Sequence, residues 1–264
     1  MELFYRRFGT GPPLVILHGL YGSSDNWLTI GKALSDSYSV ILPDLRNHGN
    51  SSHHEIHDYP SMSSDLYELA KRLNLKKFSL AGHSMGGKTA MMFALSHPEM
   101  LECLVVMDIA PFTGKIRYDN AFSYHLGILN AVIETDISSA SRREEVEINL
   151  AGRIADEKVR GFIMKNLNRD ESKKFKWKIN TEALLKNLDK IVADLPYKYY
   201  SSDETTGFSV VFLKGENSDY IENEDIPEIK KLFPAAELRI IKNAGHWLNS
   251  DNPGAVITEL KNCY

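Results

Sequence analysis

The stretch Phe78-Ser79-Leu80-Ala81-Gly82-His83-Ser84-Met85-Gly86-Gly87 decides the fold. It places a short, mainly apolar run before G-x-S-x-G, and a helical stretch from Met85 to Ser96 follows. A serine on a sharp turn between a strand and a helix stands exposed above the sheet. Glycines two residues before and after the serine remove side chains that would clash there. The pattern therefore predicts that Ser84 is a nucleophile rather than part of a glycine-rich turn without chemistry.

The rest of the chain alternates short apolar runs with helical stretches. The predicted strands are Leu14–Leu17, Tyr38–Leu42, Phe78–Ala81, Leu101–Met107, Phe208–Leu213 and Leu238–Ile241. Such alternation is typical of an α/β fold with a mostly parallel sheet flanked by helices. Residues 112–207 are helix-rich and charged, without a comparable buried strand. We therefore expect a core of residues 1–111 and 208–264, with residues 112–207 forming a helical cap inserted between two strands.

A hydroxyl is a weak nucleophile at neutral pH, so Ser84 needs a neighbouring base. His246 lies in Asn243-Ala244-Gly245-His246-Trp247, directly after the last predicted strand. When a serine stands on a strand–turn–helix motif, a histidine on the loop after the last strand serves as its general base. The alternative is an ordinary surface-loop histidine without a catalytic role. We assign His246 to that role.

The base in turn needs a carboxylate that fixes its tautomer, and two positions qualify. Asp108 ends the apolar run Leu101–Met107, where a buried charge requires a partner. Asp219 follows the run Phe208–Leu213. A G-x-x-D pattern that starts at Gly215 would place its aspartate at position 218, where this chain has Ser218, so Asp219 comes one residue late. We prefer Asp108 and keep Asp219 as the alternative; the chain order serine, acid, histidine holds with either.

The reaction would also require two backbone N–H groups that bind the developing oxyanion. The residue after the nucleophile supplies one, which here is Met85. The loop after the first apolar run, His18-Gly19-Leu20, supplies the other, and we assign it to Leu20.

Composition excludes several classes. Hydrophobic residues make up 43% and charged residues 25% of the 264 residues, as in ordinary globular proteins. A formal net charge of −4 gives no support for binding nucleic acid. The absence of a long apolar run, a signal-like start and a zinc-like Cys/His spacing predicts a cytoplasmic protein without a membrane span, metal or cofactor.

Several motifs together resemble the α/β-hydrolase superfamily over nearly the whole chain: His18-Gly19, Asp44-x-Arg46-x-x-Gly49-x-Ser51, Gly82 to Gly87 and Gly245-His246. A closer likeness comes from Asp44-Leu45-Arg46-Asn47-His48-Gly49, Gly86-Gly87-Lys88 and Asp108-Ile109-Ala110-Pro111. These resemble small bacterial carboxylesterases related to the abhydrolase domain-containing protein 11 group, which also has serine at the Ser218 position. The resemblance implies hydrolysis of short-chain esters or thioesters, including acyl-CoA, and supports Asp108 as the acid.

Other functions remain open at this point. The same fold carries out C–C bond hydrolysis and other non-ester reactions, and it also serves catalytically silent binding proteins. The basic stretch 165–178 is interpreted as a solvated helix face in preference to a phosphate-binding patch. His53, His54, His57, His97 and His125 are expected to face solvent.

Overall fold

A seven-stranded sheet forms the centre of the computed structural model, which describes residues 1–112, 114–196 and 207–262. The strands are β1 (Tyr5–Phe8), β2 (Pro13–Leu17), β3 (Ser39–Pro43), β4 (Phe78–His83), β5 (Leu101–Met107), β6 (Leu167–Arg169), β7 (Phe175–Trp177), β8 (Ser209–Gly215) and β9 (Glu237–Ile241). The order across the large sheet is β1-β3-β2-β4-β5-β8-β9, and only β1 runs antiparallel to its neighbour. β6 and β7 form a separate antiparallel hairpin. The predicted α/β-hydrolase fold is confirmed.

The helices are α1 (Leu28–Leu34), α2 (Tyr59–Arg72), α3 (Met85–Ser96), α4 (Lys115–Glu134), α5 (Arg143–Ala151), α6 (Glu157–Met164), α7 (Thr181–Lys186), α8 (Leu188–Val192), α9 (Ile226–Leu232), α10 (Leu248–Asp251) and α11 (Pro253–Lys261). The sheet separates two apolar clusters, one that includes side chains of α2 and α3 and one that includes side chains of α1 and α11. Every residue of β3 and β4 is buried. Strands covered on both faces are continuous apolar runs without polar alternation, which is why these short segments could be recognised in the sequence.

The segment between β5 and β8 contains α4 to α8 and the β6–β7 hairpin. Helical elements were predicted for this segment. The interpretation of residues 165–178 as a solvated helix face was wrong, because these residues form the hairpin. Its turn is closed by Asp170, which accepts from the backbone N–H of Lys173, and Lys173 adopts a φ of +62°. Phe175 and Trp177 have the aromatic side chains that strands favour, so turn and strand chemistry override the charged composition. The division into a core and a cap stays a prediction.

Among the described residues, no helix is both long and apolar enough to cross a membrane.

Candidate active site

Ser84 occupies a strained turn between β4 and α3. Its φ of +53° lies in the left-handed region, which is costly for a residue with a side chain. The turn is held by the backbone N–H of Ser84, which donates to the Met107 carbonyl on β5 at 3.0 Å. A Cβ on Gly86 would come within 2.7 Å of the Leu17 carbonyl oxygen, and one on Gly82 would collide with the Gly86 backbone. The two glycines of the motif therefore permit the close approach of strand and helix.

The Asp108 carboxylate lies beneath His246. Nδ1 of His246 lies 2.8 Å from Oδ2 of Asp108, whose side chain is fully buried. The backbone N–H of Gly215 donates to the other oxygen at 2.8 Å, and the Ser218 hydroxyl donates to Oδ2. Burial opposes ionisation, but the hydrogen bond and charge of His246 and the donors Ser218 and Gly215 outweigh it, so the pKa of Asp108 lies below its usual value. This carboxylate is held ionised against the imidazole.

The alternative acid, Asp219, is exposed and lies on the wall of a cavity beside Ser84. The residue before it, Ser218, makes the contact to Asp108 instead. The structure thus brings Asp108 and His246 together at hydrogen-bond distance, and the Ser218 hydroxyl supports the Asp108 carboxylate.

Two further rings enclose His246, and no sequence motif had indicated one of them, Tyr220. The Tyr220 ring stacks on the imidazole with a centroid distance of 3.6 Å and an interplanar angle of 15°. On another side, the His83 ring lies 4.7 Å away, and its Nε2 lies 2.6 Å from the His246 carbonyl oxygen. Burial, and then the positive charge of His246, lower the pKa of His83 to about 3, so His83 is neutral and its Nε2–H donates to that carbonyl.

The loop after β2 approaches the serine closely, and it is fixed through Tyr21. A Cβ on Gly19 would lie 3.3 Å from Cβ of Ser84. The backbone N–H of Tyr21 donates to Nε2 of His48 at 3.1 Å, and the amide of Asn166 donates to the Tyr21 carbonyl at 2.9 Å. Asn166 belongs to the segment between β5 and β8, so that segment takes part in holding the loop.

Leu20 and Met85, whose N–H groups were expected to bind an oxyanion, line one cavity together with Ser84. Both side chains are buried, and neither contributes a polar group. The structure thus gathers the two residues at the serine, and their role as donors stays a prediction.

A cluster of buried histidines lies beside this loop. The His18, His48 and His57 rings follow one another with centroid distances of 5.1 and 5.5 Å. The expectation that His57 faces solvent was wrong: it is fully buried, and burial lowers its pKa to about 3. His125, also expected at the surface, is partly buried, and burial lowers its pKa to about 4. The polar sequence around His57 hid this outcome, since its loop turns inward and places Nε2 3.4 Å from the Met85 sulfur.

Two cavities meet at Ser84. One, of about 360 Å³, is bounded largely by apolar side chains, including Ile109, Phe112, Ile191 and Val192. The other, of about 330 Å³, is bounded by His246, Trp247, Phe162 and Lys158 among others. Ser84 lies on the wall of both, whereas His246 lines only the second. Among the described residues, no group of three or more His, Cys, Asp or Glu side chains is arranged to hold a metal ion.

Comparison with known proteins places this site in a family. The family model for the alpha/beta hydrolase fold matches residues 12–253. The chain belongs to the α/β-hydrolase fold family. A marine microorganism esterase of known structure is 41% identical, with a TM-score of 0.90 over 100% of this chain and 99% of that one. The chain is therefore an α/β-hydrolase enzyme of the esterase type.

Two relatives show how widely this family likeness extends. The sn-1-specific diacylglycerol lipase ABHD11 of Danio rerio is 37% identical over 93% of this chain and 76% of its own length. Esterase YbfF of Escherichia coli is 29% identical over 94% of this chain and 91% of its own. The resemblance inferred from the motifs is confirmed.

Proposed function

We propose that this protein hydrolyses carboxylic esters or thioesters through an acyl-enzyme intermediate. Ser84 attacks the acyl carbonyl, while His246 takes the hydroxyl proton and gives it to the leaving group. Asp108 holds the imidazole in the tautomer that accepts this proton. The N–H groups of Leu20 and Met85 bind the oxyanion, and water then releases the acid. The steps need no cofactor.

The observation that carries the proposal is the 2.8 Å contact between His246 Nδ1 and a buried, ionised Asp108, on the loop edge that also carries the strained Ser84 turn. An Nδ1–H that points at a carboxylate leaves Nε2 free of its proton. A histidine in that state can act as a general base toward a hydroxyl in the same cavity.

The two cavities suggest how a substrate divides between them. Because His246 must protonate the departing atom, the leaving group belongs in the cavity that His246 lines. The acyl group then belongs in the apolar cavity bounded by Ile109, Phe112 and Val192. We propose acyl groups without charge, of short to medium length, as the substrate class, with a small-molecule alcohol or thiol as leaving group. The relatives named esterase and lipase are compatible with this choice.

The test is labelling of the intact protein with a fluorophosphonate, comparing wild type with Ser84→Ala, followed by hydrolysis of p-nitrophenyl esters from acetate to decanoate. Acetyl-CoA and butyryl-CoA, followed with a thiol reagent, test thioesters. Serine and alanine both carry a Cβ at this strained φ, and the substitution removes only the hydroxyl, so Ser84→Ala is expected to keep the fold. Loss of labelling and of ester turnover in that variant is the expected result.

Turnover that persists in folded Ser84→Ala would refute the nucleophile. A wild type that is folded but neither labelled nor active on esters would favour a silent binding protein. Labelling without ester turnover, with cleavage of a β-diketone, would favour C–C bond hydrolysis instead.

A further inference from the structure

The Tyr220 ring covers one face of the His246 imidazole. The centroid distance of 3.6 Å and the angle of 15° place the two rings nearly parallel and in direct contact. Tyr220 is partly buried and lies on the wall of both cavities that meet at Ser84. The stack is therefore located where the imidazole gains and loses its proton.

The loop that carries Tyr220 is braced against the elements that hold the acid and the base. The ammonium group of Lys214 donates to the carbonyls of Ser218, at 2.8 Å, and Ile221. The Tyr220 N–H lies 3.3 Å from the Ser218 hydroxyl oxygen, and that hydroxyl in turn donates to Asp108. One short loop thus fixes both the carboxylate and the aromatic ring.

The same loop is tied directly to the loop of the base. The N–H of Asn217 donates to the carbonyl of Ala244, two residues before His246, at 2.9 Å. These bonds hold the backbone of the Tyr220 loop in place against the loop that carries His246. The backbone position from which the Tyr220 side chain reaches the imidazole is therefore set by the fold.

The chemistry of the stack favours one protonation state. An imidazolium ion forms on His246 when Ser84 gives up its proton, and the face of a neutral aromatic ring attracts a cation. Burial, followed by the neighbouring Tyr124 and then Asp219 and Asp108, raises the pKa of Tyr220 to about 12, so the ring stays neutral. The neighbouring His83 is neutral as well and adds no opposing charge.

We propose that Tyr220 is a positioning residue of the esterase reaction, which aligns the His246 ring and stabilises its imidazolium form by stacking. This rests on the proposed function, since it acts through His246. The aromatic face carries the effect, and the phenol hydroxyl has no part in it.

The experiment compares Tyr220→Phe, which keeps the aromatic face, with Tyr220→Leu, which keeps an apolar cover without one. The small substrate p-nitrophenyl acetate limits effects on substrate fit. We measure kcat, KM, the pH profile of kcat/KM and the melting temperature. Tyr220→Phe is expected to stay within about threefold of wild type. Tyr220→Leu is expected to lose about tenfold in kcat, with little change in KM, because a desolvated cation–ring contact is worth about one decade.

The pH profile separates stacking from simple packing. Without the aromatic face the imidazolium is less stable, so the acidic limb of the Tyr220→Leu profile moves to lower pH, by about half to one unit. If Tyr220→Leu does not fold, Tyr220→Met provides the same comparison. Equal losses in the Phe and Leu variants, a fall in kcat with an unmoved acidic limb, or a Leu variant as active as wild type would each overturn the proposal. If Ser84→Ala, made in the otherwise wild-type protein, kept its ester turnover, the proposed function itself would have failed instead.

Discussion

Replacement of Asp108 by asparagine isolates the role of the carboxylate, because the side chain keeps its shape. In the wild type, one oxygen accepts from the Gly215 N–H, and the other accepts from His246 Nδ1 and the Ser218 hydroxyl. Asparagine has only one oxygen. If that oxygen keeps the Gly215 bond, its NH₂ group faces Nδ1 and donates to it. The opposite rotamer would set the NH₂ group against the Gly215 N–H, so the first arrangement is favoured.

An amide donor at Nδ1 forces the other tautomer, in which the proton sits on Nε2. That nitrogen can then no longer accept the Ser84 proton. We expect kcat/KM of Asp108→Asn to fall by ~10³ to 10⁴, equivalent to ~4 to 5.5 kcal/mol of transition-state stabilisation. Because the Gly215 bond remains and the Ser218 hydroxyl can rotate, the loss in unfolding free energy should stay below ~2 kcal/mol.

The assay is hydrolysis of p-nitrophenyl butyrate, together with the rate of fluorophosphonate labelling and urea unfolding. Asp219→Asn is the matched control, since the exposed Asp219 is the alternative acid and the same atoms are exchanged. A folded Asp108→Asn variant with activity within tenfold of wild type would refute the reasoning. So would a loss confined to Asp219→Asn, which would transfer the role to the other carboxylate.

Two further predictions concern stability. Burial lowers the pKa of both His57 and His83 to about 3, well below the ordinary value that they regain on unfolding. The unfolded chain therefore binds more protons than the folded one. The free energy of unfolding should fall as the pH drops from ~6.5 toward 3, by up to ~1.4 kcal/mol per pH unit for each histidine. Urea unfolding between pH 7.5 and 4.5 measures this free energy, and a flat profile would contradict the prediction. Arg46 donates to one oxygen of Asp65 at 2.7 Å with both side chains buried, and the amino group of Met1 pairs with the other oxygen. Because that second partner remains, Arg46→Ala should cost ~1.5 to 3 kcal/mol in urea unfolding, and a loss under ~0.5 kcal/mol would contradict that expectation.

The sequence predicted best where the chemistry is local. The bounds of β5 and α3 agree with the structure residue for residue, because an apolar run and the nucleophile motif mark them directly. That Asp108 would contact a partner could be inferred because a charge that ends a buried strand needs one. These features depend on a few adjacent residues and on the general rule that the carboxyl ends of parallel strands share one edge.

The features that the sequence did not reveal depend on distant segments that meet in space. Tyr220 has no motif of its own, and its stack on His246 results from loops after two different strands. The support of the Tyr21 loop by Asn166 likewise joins the first loop to the segment beyond β5. The burial of His57 follows from the path of its loop, which its polar neighbours do not indicate.

The distribution of backbone strain supports the location of the site independently of any motif. Among the described residues other than glycine, φ is positive at Asn47, Asn74, Asn243, Lys173, Tyr21, Ser84 and Asp108. Asparagine and aspartate tolerate this conformation, and Lys173 closes a hairpin turn. Tyr21 and Ser84 remain, and both belong to the candidate site together with Asp108.

Each of these three residues is held by a hydrogen bond from its own N–H to a neighbouring segment. Ser84 donates to the Met107 carbonyl at 3.0 Å, Asp108 to the Leu213 carbonyl at 2.8 Å and Tyr21 to His48 at 3.1 Å. A strained residue of this kind costs ~1 to 3 kcal/mol and persists only when its surroundings enforce it. The sheet and the buried histidine supply that enforcement. The unusual backbone conformations therefore lie at the residues to which the proposed reaction assigns the nucleophile, the acid and the oxyanion loop.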